Sequence, residues 1–375
     1  MTINGEISIV HHVTRLADWI DNVIKHTLPP NPMDLSNISI GFLQLGELTN
    51  SEYFFQKGVK ILSNILNMQN ADGSWNEIYP YIGFNAKSTL STAFVGYTLI
   101  RSSGLINTDT CFYNNLHDSV IKASKYVLRK EKAQGSFIKS ELVKQDAVNV
   151  NLVYALFLLS TYKHIVQDNH LYDSALRTLA RAMKCQSEDG AFPYFANMKP
   201  YLKPLHYHAY VTRLLVEFYL LMKDVKILDA IQKATDFFLK KIDEKGRIIW
   251  DGELGVWVYR SFSTYGSILY VLSFLSHHLH EYKSVCQKIL KKVFSYQLKE
   301  GAFATMDNRG RVTEYLIDIK NIIRLISHRE IYDSLFLAKK LIHHDNNEKN
   351  LMMTVNAQML ETLTSIIRNI TRSFI

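Results

Sequence analysis

The sequence is poor in the residues that interrupt regular structure. Its 375 residues include only 16 Gly and 7 Pro, so long linkers between domains are not expected. The three cysteines, Cys111, Cys185 and Cys286, are odd in number and far apart. This usage argues against a disulfide framework, and no CxxC spacing indicates a structural zinc site. The motifs GxSxG, GxxxxGK[ST] and GxGxxG are also missing.

The sequence also lacks a block of like charges, although its net charge is +8. A basic balance is compatible with nucleic acid, anionic lipid or an acidic glycan. Basic and aromatic residues do not interleave as in nucleic-acid-binding proteins, so no nucleic-acid partner is expected. The N-terminal segment has no apolar signal-peptide core, which predicts a cytoplasmic protein. The longest uncharged run, residues 261–280, contains Ser, Thr, Tyr and His, and we predict a buried helix there rather than a membrane span.

What the sequence does contain is a glycine that recurs at a nearly fixed interval. Gly73, Gly135, Gly190, Gly246 and Gly301 are separated by 62, 55, 56 and 55 residues. Most lie in short polar turns followed by an aromatic residue, as in QNADGSW and QSEDGAF. A nearly constant period of this length is typical of repeat architectures.

Two kinds of helical segment alternate around these glycines. A charged, amphipathic stretch such as LYDSALRTLARAMKCQ precedes each glycine, and a nearly uncharged stretch such as AVNVNLVYALFLLSTY usually follows it. The first pattern indicates an outer helix and the second a helix buried on all sides. The sequence therefore predicts an all-α fold, an (α/α)6-type toroid of helical hairpins that forms one domain over residues 1–375, with partly irregular helices in residues 1–50.

The connections between these helices differ in length. Those from outer to inner helices are long, and most of those from inner to outer helices are short. Loops beyond about 12–15 residues in a compact domain are usually functional. The long loops must share one rim of the toroid, so we predict one functional rim there.

Aromatic, acidic and basic side chains in the long loops and at the starts of the inner helices suit a sugar ligand. Aromatic rings stack on sugar rings, polar groups bind hydroxyls, and the basic residues favour an anionic sugar such as a uronate. The aromatic residue after each glycine, such as Trp75, has a second interpretation, packing between neighbouring hairpins. Asp72 and Gly73 are expected to form a structural turn, with Glu77, Tyr79 and Tyr81 facing the mouth. The candidate substrate-binding residues are Trp75, Glu77, Tyr79, Tyr81, Asn85, Asn149, Tyr194, Trp257, Tyr259, Arg309 and Arg311.

The segment LHYHAY, residues 205–210, opens a predicted inner helix and carries two histidines that titrate near neutral pH. Residues two apart face different sides of a helix, so at most one histidine is expected to face the cavity, whereas residues three apart can share a face. The acidic pair in WDGELGVW could divide acid and base roles across a glycosidic bond. Core packing, helix capping and a turn before Gly252 are the structural alternatives. The candidate catalytic residues are His206, His208, Tyr207, Tyr210, Asp251 and Glu253; no metal-ligand set is recognisable.

Two resemblances follow from these motifs. QNADGSW, QSEDGAF and LKEGAF resemble the Q-x-x-D-G-x-W turns of terpenoid cyclase and protein prenyltransferase toroids. Over about residues 52–365, segments such as QSEDGAFPYF, HYHAYVTRLLVEFY and VNAQMLETLTSI are similar to helical-toroid proteins found with bacterial surface-polysaccharide genes. Those proteins are related to glucuronyl epimerases and heparinase-type lyases. The second resemblance implies the α/α-toroid fold, and it aligns HYHAY with a Tyr-His pair that opens an inner helix.

Together these observations predict a carbohydrate-active protein acting on an anionic bacterial glycan. Lyase or epimerase chemistry on a uronate needs a base (His208 or His206), a tyrosine acid (Tyr207 or Tyr210) and a group that neutralises the carboxylate, and it needs no cofactor. The carboxylate would be met by Arg309, Arg311 or Asn149. Hydrolysis by Asp251 and Glu253 is a variant. Two alternatives stay open: a non-catalytic glycan-binding or scaffold toroid in polysaccharide biosynthesis, and an isoprenoid-binding toroid with an aromatic-lined cavity.

Overall fold

The computed structural model describes residues 3–26, 31–79, 84–106, 110–132, 135–138, 146–194, 196, 205–248, 262–303 and 344–372. Most of this part of the chain is helical. The helices are α1 (Ile3–Ile24), α2 (Pro32–Thr49), α3 (Glu52–Asn67), α4 (Thr89–Ser103), α5 (Thr110–Leu128), α6 (Val148–His164), α7 (Asn169–Met183), α8 (Leu205–Met222), α9 (Val225–Leu239), α10 (Phe262–His278), α11 (Glu281–Phe294) and α12 (His344–Arg372).

The helices form two concentric rings, as the alternation of charged and uncharged segments predicts. The inner ring runs α2, α4, α6, α8, α10 and α12, each helix contacting the next and α12 contacting α2 again. Every residue of α6 from Val148 to Thr161 is buried, because other helices surround it on all sides. The outer helices bury one stripe only, as in α7, where Leu171, Ala175 and Leu179 face inwards. The prediction of an (α/α)6 toroid is confirmed.

The ring is closed by helices that are far apart in sequence. Outer helices α3, α5, α7, α9 and α11 pack on the inner helix that precedes them, whereas α1 packs mainly on α12. The amphipathic pattern HHVTRLADWIDNVI predicts an outer helix with MDLSNISIGFLQLGEL, in α2, as its inner partner, but the structure gives α1 more extensive contact with α12. The pattern of REIYDSLFLAKKLIHH, residues 329–344, predicts a helix that helps to close the ring, and this segment lies almost entirely outside the described residues.

The five recurring glycines are structural turns. Gly73, Gly135, Gly190, Gly246 and Gly301 have positive φ angles of 90°, 76°, 90°, 76° and 102°. Each lies against the backbone of the next outer helix around the ring, and Gly301 lies against Arg15 of α1. The Gln of three of the turns bonds both elements: Gln186 Nε2, for example, donates to Gly190 O (3.0 Å) and to Ala230 O of α9 (2.9 Å). The turns therefore fasten each repeat to the following one.

Replacing Gly190 by Ala is expected to destabilise the fold strongly. A Cβ at this position would lie 2.1 Å from Lys233 O, a backbone atom of α9 that cannot move independently. The positive φ and the overlap each cost about 1–3 kcal/mol, so we expect a loss of roughly 3 kcal/mol or more in the free energy of unfolding. Gly104→Ala is the matched control, because its Cβ meets nothing closer than 3.8 Å. Equal melting curves for the two variants would contradict the assignment.

A β-hairpin follows the first glycine turn. Strand β1 (Trp75–Tyr79) pairs antiparallel with β2 (Phe84–Ser88), Trp75 lying opposite Ser88. A second, two-residue pair joins β3 (Glu131–Lys132) to β4 (Ser136–Phe137). The period of two in β1 places Trp75 and Glu77 on the buried face and leaves Asn76 more exposed.

Candidate functional site

The starts of the inner helices carry a repeated hydrogen bond that supports the glycine turns. In each turn, the residue two positions after the glycine donates its backbone N–H to a side chain of the inner helix. The bonds are Trp75 to Thr92 Oγ1 (2.9 Å), Phe137 to Asn151 Oδ1 (3.3 Å), Phe192 to His208 Nδ1 (3.0 Å), Ile248 to Tyr265 Oη (3.0 Å) and Phe303 to Asn356 Oδ1 (2.7 Å). Each of these polar residues is thus bonded to its own turn.

His208 is one of these turn supports. Its side chain is fully buried. Nδ1 accepts from Phe192, and Nε2 donates to Ala234 O of α9 at 2.8 Å. Both ring nitrogens are bonded to the backbone, and His208 does not line the cavity described below. The structure therefore gives His208, one of the two candidate general bases, a structural position instead.

The repeat suggests how His208 can be replaced. His208→Ala removes an acceptor and a donor from a buried site, leaves a cavity, and is expected to cost about 3 kcal/mol. His208→Asn should cost clearly less, because Asn151 and Asn356 perform the same function in other repeats. Chemical denaturation of both variants measures the difference. Equal losses of stability would show that the ring of His208 contributes only volume.

A cavity of about 280 Å³ lies inside the inner ring, at the lower end of the size of small-molecule sites. All six inner helices line it, five of them from their first turns inwards and α12 from Thr354 onwards. On α8 the lining runs from His206 to Glu217, a depth of roughly 16 Å at 1.5 Å per residue. Its main polar residues are Asp34, Asn37, Tyr97, Arg101, Asn149, His206, Tyr207, Tyr210, Arg213, Glu217, Ser263, Ser267, Thr354, Gln358, Glu361 and Thr362. The cavity begins where the inner helices begin, on the predicted functional rim.

Two titratable groups line the outer part of the cavity from opposite helices. Asp34 is in the first turn of α2 and His206 is in the first turn of α8, and these helices are three places apart in the ring of six. Thr354 Oγ1 donates to Asp34 Oδ2 (2.9 Å), and Thr264 Oγ1 lies 3.1 Å from His206 Nδ1. His206 Nε2 has no hydrogen-bond partner in the part of the chain that the structure describes.

Burial favours the uncharged form of both groups. It raises the pKa of Asp34 to about 7, and the bond from Thr354 offsets this only partly. It lowers the pKa of His206 to about 4. Pairs of titratable groups whose environments move their pKa values apart are typical of acid–base sites. At pH 6, for example, Asp34 is mostly a proton donor and His206 a neutral acceptor.

The inner end of the cavity is closed by a cluster of charged groups, here called the floor cluster: Arg101, Arg213, Glu217 and Glu361, with the phenols of Tyr97 and Tyr270. Glu361 of α12 accepts from Arg101 of α4 (2.7 Å) and from Arg213 of α8. Glu217 of α8 accepts from Tyr97 (2.9 Å) and Tyr270 (2.6 Å). Burial opposes ionisation of Glu361, but the two Arg outweigh it and lower its pKa to about 2. Two positive and two negative groups balance one another.

Three further residues predicted from the sequence, Tyr207, Tyr210 and Asn149, line the cavity, and a fourth, Tyr194, packs against Tyr207. Tyr207 stacks on Tyr194 with ring centroids 4.0 Å apart. Burial raises the pKa of Tyr210 to about 12, so its phenol keeps its proton. Asn149, in the first turn of α6, is buried, and its Oδ1 has no hydrogen-bond partner among the described residues. These side chains, with His206, come together around one space.

The remaining predicted site residues do not line the cavity or lie outside the described residues. Trp75 is fully buried and donates from Nε1 to Ile65 O (2.8 Å), which is the packing interpretation. Glu77 is buried and accepts from Ser88 Oγ (2.9 Å), so it does not face the mouth. Asn85 is exposed on β2 and accepts from Asn76. Tyr81, Asp251, Glu253, Trp257, Tyr259, Arg309 and Arg311, and the side chain of Tyr79, are outside the described residues.

Sequence reasoning missed Asp34 and most of the floor cluster. A signal was present: Arg101 and Glu217 are ionisable residues in helices that are otherwise almost uncharged, and Glu361 is the only charged residue in the segment 351–367 of α12. A charge in a buried helix is expected only where it is paired or functional. In the part of the chain that the structure describes, no three His, Cys, Asp or Glu side chains form a metal site. No helix within the described ranges combines the length and apolarity needed to cross a membrane.

Comparison with known proteins identifies the fold. No protein-family model matches the sequence, and no curated protein is similar to it in sequence. Solved structures do match. An unsaturated glucuronyl hydrolase specific for heparin is similar over 97% of this chain and 98% of its own, with a TM-score of 0.67 and 11% identity. A polysaccharide lyase matches over 98% of both chains (TM-score 0.66, 11% identity).

A third neighbour is a cellobiose 2-epimerase from Bacillus thermoamylovorans, which matches 73% of this chain and 78% of its own (TM-score 0.60, 9% identity). At these identities the likeness concerns the fold alone. The chain is therefore similar in fold, along nearly its whole length, to α/α toroids that include a glycoside hydrolase and a polysaccharide lyase.

Proposed function

We propose that the protein acts on an anionic, uronate-containing oligosaccharide, which it binds in the central cavity, and that it moves a proton at the uronate by lyase or epimerase chemistry. The observation that carries this proposal is the pair formed by Asp34 and His206. The two side chains line the same cavity from opposite inner helices, and both are mostly uncharged between about pH 4 and 7. A proton acceptor and a proton donor on two sides of one sugar are what these reactions require.

In the lyase form of the reaction, His206 Nε2 takes the proton alpha to the uronate carboxylate. A carbon–carbon double bond forms as the bond to the leaving glycosidic oxygen breaks, and that oxygen takes the proton of Asp34. Exchange with water then restores both groups. In the epimerase form, no bond to oxygen breaks, and Asp34 returns a proton to the opposite face of the same carbon. Tyr207 and Tyr210 lie in the same wall and can donate hydrogen bonds to the developing charge.

An anionic ligand also suits the outer part of the cavity electrostatically. The inner helices begin at this rim, and helix N-termini favour negative charge. Asn149 stands at one of these starts, and its amide has no partner among the described residues. We propose that Asn149 binds the uronate carboxylate, with Arg309 and Arg311 as predicted contributors. A carboxylate at this level also favours the protonated form of Asp34, because like charges oppose its ionisation.

The polar lining favours a sugar over an isoprenoid. Five of the lining residues are ionisable acids or arginines, and hydroxyl and amide groups occur on most of the helices. An isoprenoid would leave polar atoms such as His206 Nε2 and Asn149 Oδ1 without hydrogen-bond partners, which is unfavourable in a buried site. The neighbouring folds include a lyase, an epimerase and a hydrolase that act on sugars, which supports the same class of ligand for this chain.

The test is turnover of uronate oligosaccharides in deuterated water. A lyase produces an unsaturated uronate that absorbs in the ultraviolet, and an epimerase introduces deuterium without cleavage. His206→Ala should lower the rate by about 10² or more, whereas His170→Ala, at an exposed position on α7, should not. Unchanged turnover in His206→Ala, or no cleavage and no deuterium uptake by the wild type across the panel, would refute the proposal. Cleavage that gives saturated sugars would indicate hydrolysis instead.

A further inference from the structure

The charges at the inner end of the cavity are satisfied by one another. Arg101 donates to Glu361 and to Ser365 Oγ (3.0 Å), and Arg213 donates to Glu361 and to Thr362 Oγ1 (2.7 Å). Glu217 accepts from two phenols. Both arginines therefore already have a carboxylate partner. A charged ligand group at this depth would meet two carboxylates and no unpaired cation of the described residues.

Two carboxamides stand between this floor cluster and the Asp34 level. Asn37 is three residues after Asp34 on α2, and Gln358 is four residues after Thr354 on α12, so each lies one helical turn deeper. Asn37 is only 5% exposed. Both side chains line the cavity, and neither has a hydrogen-bond partner in the described part of the chain. The adjacent helices α2 and α12 carry them side by side.

Asn37 is buried and Gln358 partly buried. Amides without partners in such a wall are unfavourable for folding, because burial limits their hydrogen bonds to water. Their presence indicates a ligand that supplies those bonds. A carboxamide both donates and accepts, which matches a hydroxyl group and does not match a sulfate, since a sulfate only accepts. A sulfate would also find no unpaired cation in the floor cluster, whose two positive and two negative groups balance one another, so the loss of its hydration would not be compensated.

We infer that the inner half of the cavity receives an uncharged, hydroxyl-bearing edge of the sugar, bound by Asn37 and Gln358, and that it rejects a sulfate there. The acidic group of the substrate stays at the level of Asp34 and His206. This inference rests on the proposed function, and it narrows the substrate to glycans that are acidic through their uronate and unsulfated on the buried edge.

The test measures binding rather than turnover, using calorimetry on Asp34→Asn protein so that the ligand is not consumed. The probes are an unsulfated uronate–hexosamine disaccharide and counterparts with one sulfate at each position in turn. We expect the unsulfated probe to bind and at least one sulfated counterpart to bind tenfold or more weakly. If every sulfated counterpart binds as tightly as the unsulfated probe, or if the unsulfated probe does not bind, the inference is overturned.

Asn37→Leu and Gln358→Met preserve side-chain volume and remove the amides. Each should weaken binding of the unsulfated probe by about 5- to 20-fold, and Asn37→Leu should raise the melting temperature, the opposite of what a structural role predicts. Gln56→Ala, an exposed amide on α3, is the control. Undiminished binding in both amide variants, or lower melting temperatures with undiminished binding, would contradict the assignment. Because turnover is assayed separately, binding without turnover would remove the proposed chemistry and leave this subsite intact.

Discussion

Asp34→Asn is expected to lower turnover of a uronate oligosaccharide by about 10²- to 10⁴-fold, the usual contribution of a positioned acid or base. Asn is close in size to Asp and can still accept the hydrogen bond from Thr354, so the wall of the cavity should keep its shape. What it cannot do is donate a carboxyl proton. Asp229→Asn, at an exposed position on α9, is the control and should leave the rate unchanged.

The wild-type rate should depend on pH in a bell shape. It should rise through about pH 4 as His206 loses its proton, and fall through about pH 7 as Asp34 ionises. Any residual activity of Asp34→Asn should no longer fall as pH rises through about 7. A rate that keeps rising well above pH 8 would exclude Asp34 as the proton donor.

Stability provides an independent check on Asp34. Its pKa is about 7 in the folded protein against 3.8 for an ordinary Asp side chain, so the folded state holds the proton more tightly. The free energy of unfolding should therefore decrease as pH rises from about 4 through 7. Asp34→Asn removes this penalty and should raise the melting temperature above pH 7 while activity is lost. A lower melting temperature at pH 8 would show that the carboxylate stabilises the fold.

Glu361→Ala is expected to give the largest loss of stability of a single side-chain truncation in the cavity, about 3–5 kcal/mol. Glu361 is 3% exposed and bridges Arg101 and Arg213, so its removal leaves two buried cations without a carboxylate. Removing one partner of a buried pair is costly even where the pair itself adds little net stability. Glu47→Ala is the matched control: its partner Arg368 belongs to a more exposed pair, and its removal should cost about 1 kcal/mol or less.

The effect of leaving the two buried arginines unpaired can be separated from the effect of the lost side-chain volume. Replacing all three residues together, by Arg101→Met, Arg213→Met and Glu361→Leu, should cost less than Glu361→Ala alone, because no unpaired charge remains. The wild type should also lose stability as pH falls from about 4.5, the ordinary pKa of a Glu side chain, through 2, the pKa of Glu361 in the folded protein. Urea denaturation measures both effects. If the triple variant is less stable than Glu361→Ala, the three charges contribute net stability beyond their mutual compensation.

The repeat architecture could be predicted from sequence because its signals are local. The turn at Gly190 needs a positive φ and lies between an amphipathic and an apolar helix, and each of these properties can be identified within a few residues. The same reasoning could not distinguish His206 from His208. Their positions along the helix show only that the two side chains face different sides of it. Which of them accepts the Phe192 N–H depends on how the preceding turn folds back onto α8.

Asp34 was missed for a different reason. Within α2 it resembles an ordinary acidic residue of a first helical turn. Its burial, which raises its pKa, comes from the surrounding ring, including α12, whose Thr354 is 320 residues away in sequence. Closure of the ring creates this environment, and no pattern inside α2 encodes it. The β-hairpin of residues 75–88 was also missed, since its strands are short and polar on one side.

The closure of the inner ring by α12 has a consequence for the order of folding. Each α-hairpin has mostly local contacts and can form early, as in other repeat proteins. The bonds from Thr354 to Asp34 and from Arg101 to Glu361 span 320 and 260 residues. During synthesis, a ribosome-bound chain that ends before residue 344 therefore contains five of the six inner helices but lacks α12, so the cavity is not closed. Ligand binding to stalled nascent chains should appear abruptly, only when α12 has left the exit tunnel.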